Sequence, residues 1–339
     1  MFYLSYILIT FAKKLIRMKK IGVLTSGGDS PGMNACIRSV VRTANYFGIS
    51  TIGFIRGYEG LIDNEYVELT RKSVSGIIHR GGTILKTARS ERFRTAEGLK
   101  KAAESVAKHS LDGLIIIGGD GSFKGALEFS KYTDIKIVGC PGTIDNDLVG
   151  TDFTIGYDTA INTVVEAVDK LRDTAESHDR IFVVEVMGRD AGLIALRSAI
   201  AGGAEAVLVP EIKNDVDTLI QKINSWRKDK SSKIIIVAEG DETGGAYKVT
   251  EIIKQYKPDH DVRVTVLGHI QRGGNPTCME RVNASIMGYY AVKALMEGRH
   301  LEMIGIIDKK IAYTPFEKAT KHIQTLNPDL LEMLDILAN

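Results

Sequence analysis

Short apolar runs rich in β-branched residues recur along the chain, and helix-length amphipathic segments lie between many of them. The runs occupy residues 21–24, 114–117, 135–138, 181–184, 206–209, 234–237 and 264–267. Strands that are apolar at every position are typical of parallel sheets covered by helices on both faces. The pattern therefore predicts an α/β fold with mostly parallel sheets.

Helical periodicity is found over 123–131, 158–172 and 189–201. Asp158 is placed to cap the second of these helices, and we expect the third to end at Gly202 and Gly203. The chain of 339 residues is longer than a single hydrophobic core usually holds. Two domains with interleaved segments are therefore expected.

The N-terminus is apolar over residues 1–12 and basic directly afterwards. The apolar run is too short to cross a bilayer, which needs roughly 20 residues. No basic region precedes it, which argues against a secretory signal. We expect residues 1–17 to be an extension outside the fold, arising from an upstream start codon with Met18 as the natural start; an interfacial anchor is the alternative.

Composition narrows the class of protein. The formal net charge of +2 gives no basis for nucleic-acid binding, although local basic clusters can still bind small anions. Cys36, Cys140 and Cys278 follow no metal-ligand or paired spacing. We expect reduced thiols in a cytoplasmic protein with no nucleic-acid and no membrane partner.

Two strand-to-helix junctions are rich in glycine: TSGGDSPG at 25–32 and GGDGS at 118–122. In the first, Ser30 is placed to cap a helix and Pro31 to occupy its first turn. Both junctions put backbone N–H groups and a helix N-terminus at the carboxyl end of a strand, where open α/β sheets bind ligands. We expect both junctions to bind anions.

The second junction approximates a dinucleotide-binding fingerprint through Gly119, Gly121 and Gly125. That fingerprint needs an acidic residue about 20 positions later, and the segment 137–141 has none. The Asp120 carboxylate would repel a bare pyrophosphate, but it can bind a Mg²⁺ ion that bridges phosphate oxygens. A nucleotide phosphate site explains the turn better than NAD does; a tight turn with a solvent-facing Asp is the structural alternative.

The segment PGTIDND at 141–147 follows the next apolar run, so its acids are expected beside the Asp120 turn. Asp145 and Asp147 can divide two tasks, one accepting a hydroxyl proton and the other organising metal and water. Such a pair alone is more often a solvated turn. Its position one strand from Asp120 favours the catalytic interpretation.

Basic residues form a third group. Arginine holds phosphate oxygens through paired hydrogen bonds, and histidine can donate to an anion or a sugar hydroxyl. Scattered arginines are usually surface residues, whereas those that follow strands point to the ligand edge of the sheet. The candidates are Arg89, Arg94, Arg180, Arg189, Arg263 and the segment GHIQRGG at 268–274.

Five segments occur in one order: TSGGD at 25–29, GGDGS at 118–122, PGTIDND at 141–147, VMGR at 186–189 and GHIQRGG at 268–274. Together they resemble the bacterial ATP-dependent 6-phosphofructokinase family (phosphofructokinase A). Five motifs in order are far more specific than the GGDG turn alone, which lipid and NAD kinases share. The resemblance runs from Met18 to beyond Gly274.

The resemblance implies transfer of the γ-phosphoryl of MgATP to the 1-hydroxyl of fructose 6-phosphate, giving fructose 1,6-bisphosphate and ADP. It implies two three-layer α/β/α Rossmann-like domains, an ATP-binding one of 18–156 plus 270–318 and a fructose 6-phosphate-binding one of 157–269 plus 319–339. Asp145 matches the general base, with Thr143 and Arg189 as further catalytic residues. Asp120, with help from Asp147, matches the Mg²⁺ position.

The same resemblance implies the ligand contacts. The ATP contacts are Gly28, Arg89, Ser90, Gly119, Asp120, Gly121, Ser122 and Gly125. The sugar-phosphate contacts are Thr143, Ile144, Asp145, Asp147, Met187, Gly188, Arg189, Glu239, His269, Ile270, Gln271 and Arg272. Arg180 and Arg263 match a pair that the family supplies from a neighbouring subunit to the 6-phosphate, so a homotetramer is implied.

The phosphoryl donor is predicted from two glycines. Related pyrophosphate-dependent enzymes carry Asp at the position of Gly121 and Lys at that of Gly142. An Asp side chain there would fill and charge the space of the nucleotide's α-phosphate. Gly121 and Gly142 therefore predict ATP as the donor.

The resemblance further implies an effector pocket for ADP as activator and phosphoenolpyruvate as inhibitor. Its residues would be Arg38, Arg42, Arg71, Ser75, Arg172, Gly203, Glu205, Lys228 and Lys230. Gly76 and Ser232 depart from a form of the pocket that carries Asp and His there, and Ser90 replaces an aromatic residue found near the adenine in some relatives. A solvated basic face is the alternative for the effector residues. For the whole chain, the alternatives are a pyrophosphate-dependent or other sugar-phosphate kinase of the same fold and a non-catalytic nucleotide sensor.

Overall fold

The computed structural model describes residues 18–213, 215–226, 232–320 and 326–338. The predicted extension 1–17 and the predicted effector residues Lys228 and Lys230 lie outside the described residues. The strands are β1 (Lys20–Ser26), β2 (Ser50–Phe54), β3 (Tyr66–Leu69), β4 (Gly113–Gly118), β5 (Lys136–Thr143), β6 (Ile155–Gly156), β7 (Ile181–Val186), β8 (Ala206–Leu208), β9 (Lys233–Ala238), β10 (Val262–Val266), β11 (Glu302–Ile307) and β12 (Lys310–Pro315).

Helices connect most of these strands, and two short 3₁₀ segments are formed by Arg92–Arg94 and Gly268–Arg272. The α-helices are α1 (Met33–Tyr46), α2 (Tyr58–Asp63), α3 (Ala96–Lys108), α4 (Asp120–Phe129), α5 (Tyr157–Glu176), α6 (Leu193–Gly202), α7 (Asp215–Ser225), α8 (Gly245–Tyr256), α9 (Cys278–Met296) and α10 (Pro328–Ala338). No helix among the described residues is both long enough and apolar enough to cross a membrane.

The chain folds into two compact units. Among the described residues, unit 1 comprises 18–143, 148–156 and 275–320, and unit 2 comprises 144–147, 157–274 and 326–338. The segment 144–147, which lies inside the first predicted domain, groups with unit 2. One contact that ties it there joins Asp145 Oδ2 and Arg189 Nε, 3.5 Å apart.

The sheet of unit 1 has the order β12-β11-β5-β4-β1-β2-β3 within the described residues, and β6 pairs with β5. Its central strands are parallel, while β3 and β12 join the edges antiparallel. Along β4, Ile115 and Ile117 pack with residues of α1 and α9, whereas Leu114 and Ile116 pack with residues of α2, α3 and α4. Both faces are covered by helices, which explains why the strand is apolar at every position.

The sheet of unit 2 is parallel throughout its described part, with the order β10-β7-β9-β8. Ile181 and Val183 of β7 pack with α7 and α8 on one face. Helices α5 and α6 pack against β7 and β9, where Phe182 and Val184 are also buried. The predicted α/β class with mostly parallel sheets is confirmed.

Several predicted helix starts are wrong. Helix α4 begins at Asp120 rather than at 123, and α5 begins at Tyr157, so Asp158 lies in its first turn instead of capping it. Helix α1 begins at Met33 after Gly32, whose φ is 103°, and the Ser30 hydroxyl donates to the Ile155 carbonyl at 2.7 Å instead of capping the helix. Helix α6 begins at Leu193 rather than at Arg189. Arg189 has a φ of 53°, a left-handed conformation that a helix cannot include.

Candidate active site

Three loops leave the sheet of unit 1 side by side. The strand register aligns Ser26 of β1 with Gly118 of β4, and Gly118 with Pro141 of β5. The Ser122 hydroxyl donates to the Ser26 carbonyl at 3.2 Å and ties the first loop to the second. A Cβ at Gly118 would lie 2.5 Å from Ser122 Oγ and 2.7 Å from the Ser26 oxygen, so only glycine fits there. Gly28 lies in the first of these loops.

The first turn of α4 carries the predicted nucleotide residues. Gly119 is the N-cap residue, and Asp120 is the first residue of the helix. Asp120 Oδ2 accepts a hydrogen bond from Lys124 Nζ at 2.7 Å. A Cβ at Gly121 would meet nothing within 4 Å. The helix N-terminus is therefore open beside Gly121, as an anion-binding turn requires.

The segment that carries Arg89 and Ser90 is held from α2. Arg89 is exposed. The Ser90 hydroxyl donates to the Glu59 carboxylate and accepts the Phe93 N–H at 3.0 Å. Glu59 also accepts from Arg92 at 2.8 Å. The structure therefore gives Ser90 a role in fixing this segment, which its position in the sequence does not reveal.

Gly125 lies over a stacked aromatic pair. The Tyr58 and Phe93 rings are stacked, with centroids 3.7 Å apart and an angle of 10° between their planes. A Cβ at Gly125 would lie 3.2 Å from Tyr58 Cε2 and 3.4 Å from two atoms of Phe93. Close packing on this pair is a sufficient reason for glycine at 125, and sequence reasoning missed both aromatic partners.

Packing also accounts for Gly142, at the end of β5. A Cβ there would lie 2.9 Å from Met33 Cε and 3.1 Å from the Gly118 nitrogen. A lysine could not be placed at this position without displacing backbone. The next residue, Thr143, is half-buried, and its carbonyl accepts the Thr154 hydroxyl at 2.6 Å.

In unit 2, the two predicted catalytic acids are buried. Asp145 is 3% exposed and Asp147 is 6% exposed. Asn146 between them has a φ of 54°, and Ile144 is fully buried. Asp145 Oδ2 lies 3.5 Å from Arg189 Nε, so a guanidinium accompanies the buried carboxylate. A buried carboxylate in a constrained turn is typical of a functional site.

The loop after β7 is held by two side chains from segments that follow the strands β9 and β10. The Met187 N–H donates to Gln271 Oε1 at 2.9 Å. The Gly188 and Arg189 N–H groups both donate to Glu239 Oε1, at 3.3 and 2.8 Å. Because three successive N–H groups are bound in this way, the backbone at Arg189 is fixed in its left-handed conformation.

The predicted residues 268–272 form a 3₁₀ segment just after β10. His269 and Ile270 are exposed, Arg272 is half-buried, and Gln271 is fully buried. The segment therefore divides into a surface that a ligand can reach and an anchor that holds Met187.

Arg180 and Arg263 lie at the opposite end of the same sheet. Arg180 directly precedes β7, and Arg263 lies in the adjacent strand β10. Asp261 bridges them, 2.8 Å from Nε of each. The hydrogen bond from Arg180 lowers the pKa of the Asp261 carboxyl below its usual range. Sequence reasoning missed Asp261, because nothing in its local sequence marks it.

Residues 20–295 match the family model described as Phosphofructokinase. The chain belongs to the phosphofructokinase family. It is 52% identical over 321 residues to the ATP-dependent 6-phosphofructokinase of Cytophaga hutchinsonii, a match that covers 94% of this chain and 98% of the relative. It is 53% identical over 322 residues to the ATP-dependent 6-phosphofructokinase 2 of Bacteroides thetaiotaomicron, covering 95% and 99%.

The structure resembles that of a much longer phosphofructokinase. The T-state crystal structure from Pichia pastoris superposes with a TM-score of 0.83 at 36% identity. The match covers 90% of this chain and 35% of the Pichia chain. The two units together therefore correspond to about a third of that longer phosphofructokinase.

The predicted effector residues of the family fall in both units. In unit 2, Arg172 Nη2 donates to the Gly203 carbonyl at 2.8 Å, and Arg172 Nη1 lies 3.9 Å from the buried Glu205. In unit 1, Arg38 and Arg42 lie one turn apart on α1. Burial, and then the charge of Arg42, lower the pKa of Arg38. Arg71 and Ser75 are exposed on unit 1.

Proposed function

We propose that this protein is a glycolytic ATP-dependent 6-phosphofructokinase, which transfers the γ-phosphoryl of MgATP to the 1-hydroxyl of fructose 6-phosphate and releases ADP. The observation that carries the proposal is the identity of about half of all residues with curated enzymes of that name, over nearly the full length of both chains. We further propose a cytoplasmic homotetramer.

Unit 1 would bind the nucleotide. Backbone N–H groups at the start of α4 and at Gly28 would hold phosphate oxygens, because a helix N-terminus and preorganised donors stabilise anions there. A Cβ at Gly121 would meet nothing within 4 Å, and a phosphate would bind in this open space. Arg89 is exposed and can reach a ligand's phosphate. Ser122 and Gly125 would stabilise this turn, Ser122 through its hydrogen bond to the Ser26 carbonyl and Gly125 through close packing on Tyr58 and Phe93.

Asp120 would hold Mg²⁺. Its carboxylate lies in the first turn of α4, next to Gly121. This fits a magnesium ion that takes one or two carboxylates and otherwise binds water and nucleotide oxygens. Mg²⁺ would neutralise charge on the transferring phosphoryl group.

Unit 2 would supply the acceptor chemistry. Asp145 would take the proton of the 1-hydroxyl, and the adjacent Arg189 would orient its carboxylate. Glu239 and Gln271 fix the loop 187–189, and the exposed His269 can contact the sugar. Arg180 and Arg263 would bind the 6-phosphate of a neighbouring subunit's substrate. ADP and phosphoenolpyruvate would act at the residues around Arg172 and Arg38.

A donor and acceptor screen tests the proposal. Purified protein is assayed with ATP or pyrophosphate as donor and with fructose 6-phosphate or other sugar phosphates as acceptor. We expect turnover with ATP and fructose 6-phosphate, and none with pyrophosphate. Comparable rates with both donors would favour the pyrophosphate-dependent alternative, and nucleotide binding without any turnover would favour the sensor.

A further inference from the structure

We propose that Asp261 is a positioning residue that joins Arg180 and Arg263 into a single clamp for the 6-phosphate of the acceptor. The inference rests on the proposed function and extends it to a residue outside every motif. The Asp261 carboxylate contacts two guanidinium groups at the same end of the neighbouring strands β7 and β10.

Asp261 contacts each guanidinium on the side that carries Nε. Asp261 Oδ2 accepts from Arg180 Nε at 2.8 Å. Asp261 Oδ1 lies 2.8 Å from Arg263 Nε, and Arg263 Nη2 donates to Oδ2 at 3.2 Å. Neither arginine forms another ion pair with a described residue. Since a guanidinium has five N–H donors, both retain terminal donors for a phosphate.

The strand ends hold the three residues in register. Asp261 directly precedes β10 as Arg180 directly precedes β7, and Val262 is aligned with Ile181. The Ile181 N–H donates to the Asp261 carbonyl at 3.1 Å. The clamp is therefore built on paired backbone rather than on free loops, and rigid elements hold a binding group more accurately than loops do.

Charge explains why the carboxylate is needed. Two guanidiniums that share one carboxylate repel each other, and the negative charge between them offsets that repulsion. The three side chains together keep a net charge of +1, which still attracts a phosphate. Asp261, Arg180 and Arg263 have side chains that are 41%, 25% and 57% exposed. Exposed ion pairs add little to folding stability. We therefore expect the ion pairs of Asp261 with Arg180 and Arg263 to contribute to ligand binding rather than to the stability of the fold.

The test measures fructose 6-phosphate binding by calorimetry and turnover with ATP in the full-length protein carrying Asp261→Ala. We expect Kd and KM for fructose 6-phosphate to rise about tenfold, with KM for ATP and kcat little changed. Asp261→Asn preserves the shape of the side chain, so it should raise Kd and KM for fructose 6-phosphate by a smaller factor. This variant replaces Asp261→Ala in the test if the alanine variant fails to fold. Glu251→Ala is the matched control, because Glu251 is an exposed carboxylate paired with Lys248 at 2.8 Å in the same unit.

A double-mutant cycle separates positioning from a general effect of charge. In a background with both Arg180→Ala and Arg263→Ala, Asp261→Ala should cause no further loss of binding. An unchanged Kd in the single variant, or the same loss in the arginine-free background, would overturn the inference. Wild-type protein that binds fructose 6-phosphate without turnover would refute the proposed function. The Kd values of the wild type and the Asp261 variants would then still decide the role of Asp261. Wild-type protein that does not bind the sugar phosphate would overturn both.

Discussion

Asp145 combines deep burial with a nearby guanidinium, that of Arg189. A carboxylate that is 3% exposed loses most of its hydration, and burying an ionised group is costly unless it is paired. Arg189 Nε at 3.5 Å is too far for a short, strong hydrogen bond, so the pair is loosely coupled. Exchange of a proton between Asp145 and a ligand hydroxyl therefore does not require a tight ion pair with Arg189 to break first.

Replacing Asp145 by Ser should lower kcat on the order of a thousandfold while KM for fructose 6-phosphate changes only a few-fold. General-base catalysis typically contributes a factor of about 10² to 10⁴, and a serine cannot accept the proton. Steady-state kinetics with varied fructose 6-phosphate measure both constants. Asp134→Ser, at an exposed position, is the control. A loss below tenfold would remove Asp145 from the role of base.

Gly121 and Gly142 both belong to the predicted donor site, but a side chain would have different effects at the two positions. A Cβ at Gly121 would lie in open space, whereas a Cβ at Gly142 would crowd its neighbours. Gly121→Asp should fold normally, because nothing lies within 4 Å of its Cβ position and a carboxylate suits the first turn of a helix. ATP-supported turnover should nevertheless fall on the order of a hundredfold, since the new charge repels a phosphate. Thermal unfolding and ATP titrations together test this.

Gly142→Ala serves as the contrast. Its Cβ would lie 2.9 Å from Met33 Cε and 3.1 Å from backbone, so we expect a loss of folding stability of about 1–3 kcal/mol, the usual cost of overpacking. Urea unfolding of the two variants measures the difference. A Gly121→Asp protein that is less stable than Gly142→Ala would contradict the assignment of open space at Gly121.

At the scale of elements, the turn before α6 depends on Glu211. Glu211 Oε1 accepts the Gly192 N–H at 2.8 Å, and its Oε2 is buried and accepts no hydrogen bond from the described residues. Burial raises the pKa of the Glu211 carboxyl, although backbone N–H groups oppose the shift. No sequence motif marks Glu211. Its contact with Gly192 forms because the segment after β8 lies beside the start of α6.

A pH-dependent stability difference follows for Glu211→Gln. Because the pKa of Glu211 is higher in the folded than in the unfolded protein, its stabilising effect is complete below the unfolded value, about 4.3, and is lost as pH rises through the folded value. Glutamine does not titrate. The Tm of the variant minus that of the wild type should therefore increase from about pH 4 to about pH 8.

Differential scanning fluorimetry across this pH range measures the effect. Glu332→Gln in α10 is the control, since Glu332 is exposed, and its difference from the wild type should remain flat. A difference for Glu211→Gln that stays constant, or that decreases with pH, would show that ionisation of Glu211 does not oppose folding.

For the whole molecule, the cores separate the three thiols into two classes. Cys36 and Cys140 are fully buried in the core between α1, α9 and the sheet of unit 1, whereas Cys278 is exposed at the start of α9. A hydrogen bond with Cys140, together with burial, raises the pKa of the Cys36 thiol. Burial therefore protects both thiols from reagents, and the raised pKa of Cys36 also keeps that thiol protonated.

A disulfide-exchange reagent should therefore react with one thiol in the native protein and with all three after denaturation. Absorbance of the released thiolate counts the reacted groups, and Cys278→Ser should abolish the rapid native reaction. Fast reaction of two or more thiols in native protein would mean that the core of unit 1 opens readily.

The α/β class was predictable because parallel strands that are buried on both faces carry uninterrupted apolar runs, and the central strands β1, β4, β7 and β9 each contain one. The strands β2, β3, β6, β11 and β12 were not predicted. Polar residues interrupt the edge strands β3 and β12, and β6 has only two residues. Strand β11, in contrast, is apolar over 303–307 and fits the same pattern as the predicted strands. The helix predicted from Arg189 started four residues too early, because the periodicity of its apolar residues does not register a left-handed turn.

The sequence by itself determined the family, the glycine-rich turns and the acidic loop, because these depend on residue type and on spacing along one stretch of chain. Only the tertiary structure decided which side chains hold those segments. Glu239 and Gln271 reach the loop 187–189 across 50 and 84 positions of the chain, and Asp261 meets Arg180 across 81. Contacts at such separations are created by strand order and register, which local patterns do not encode.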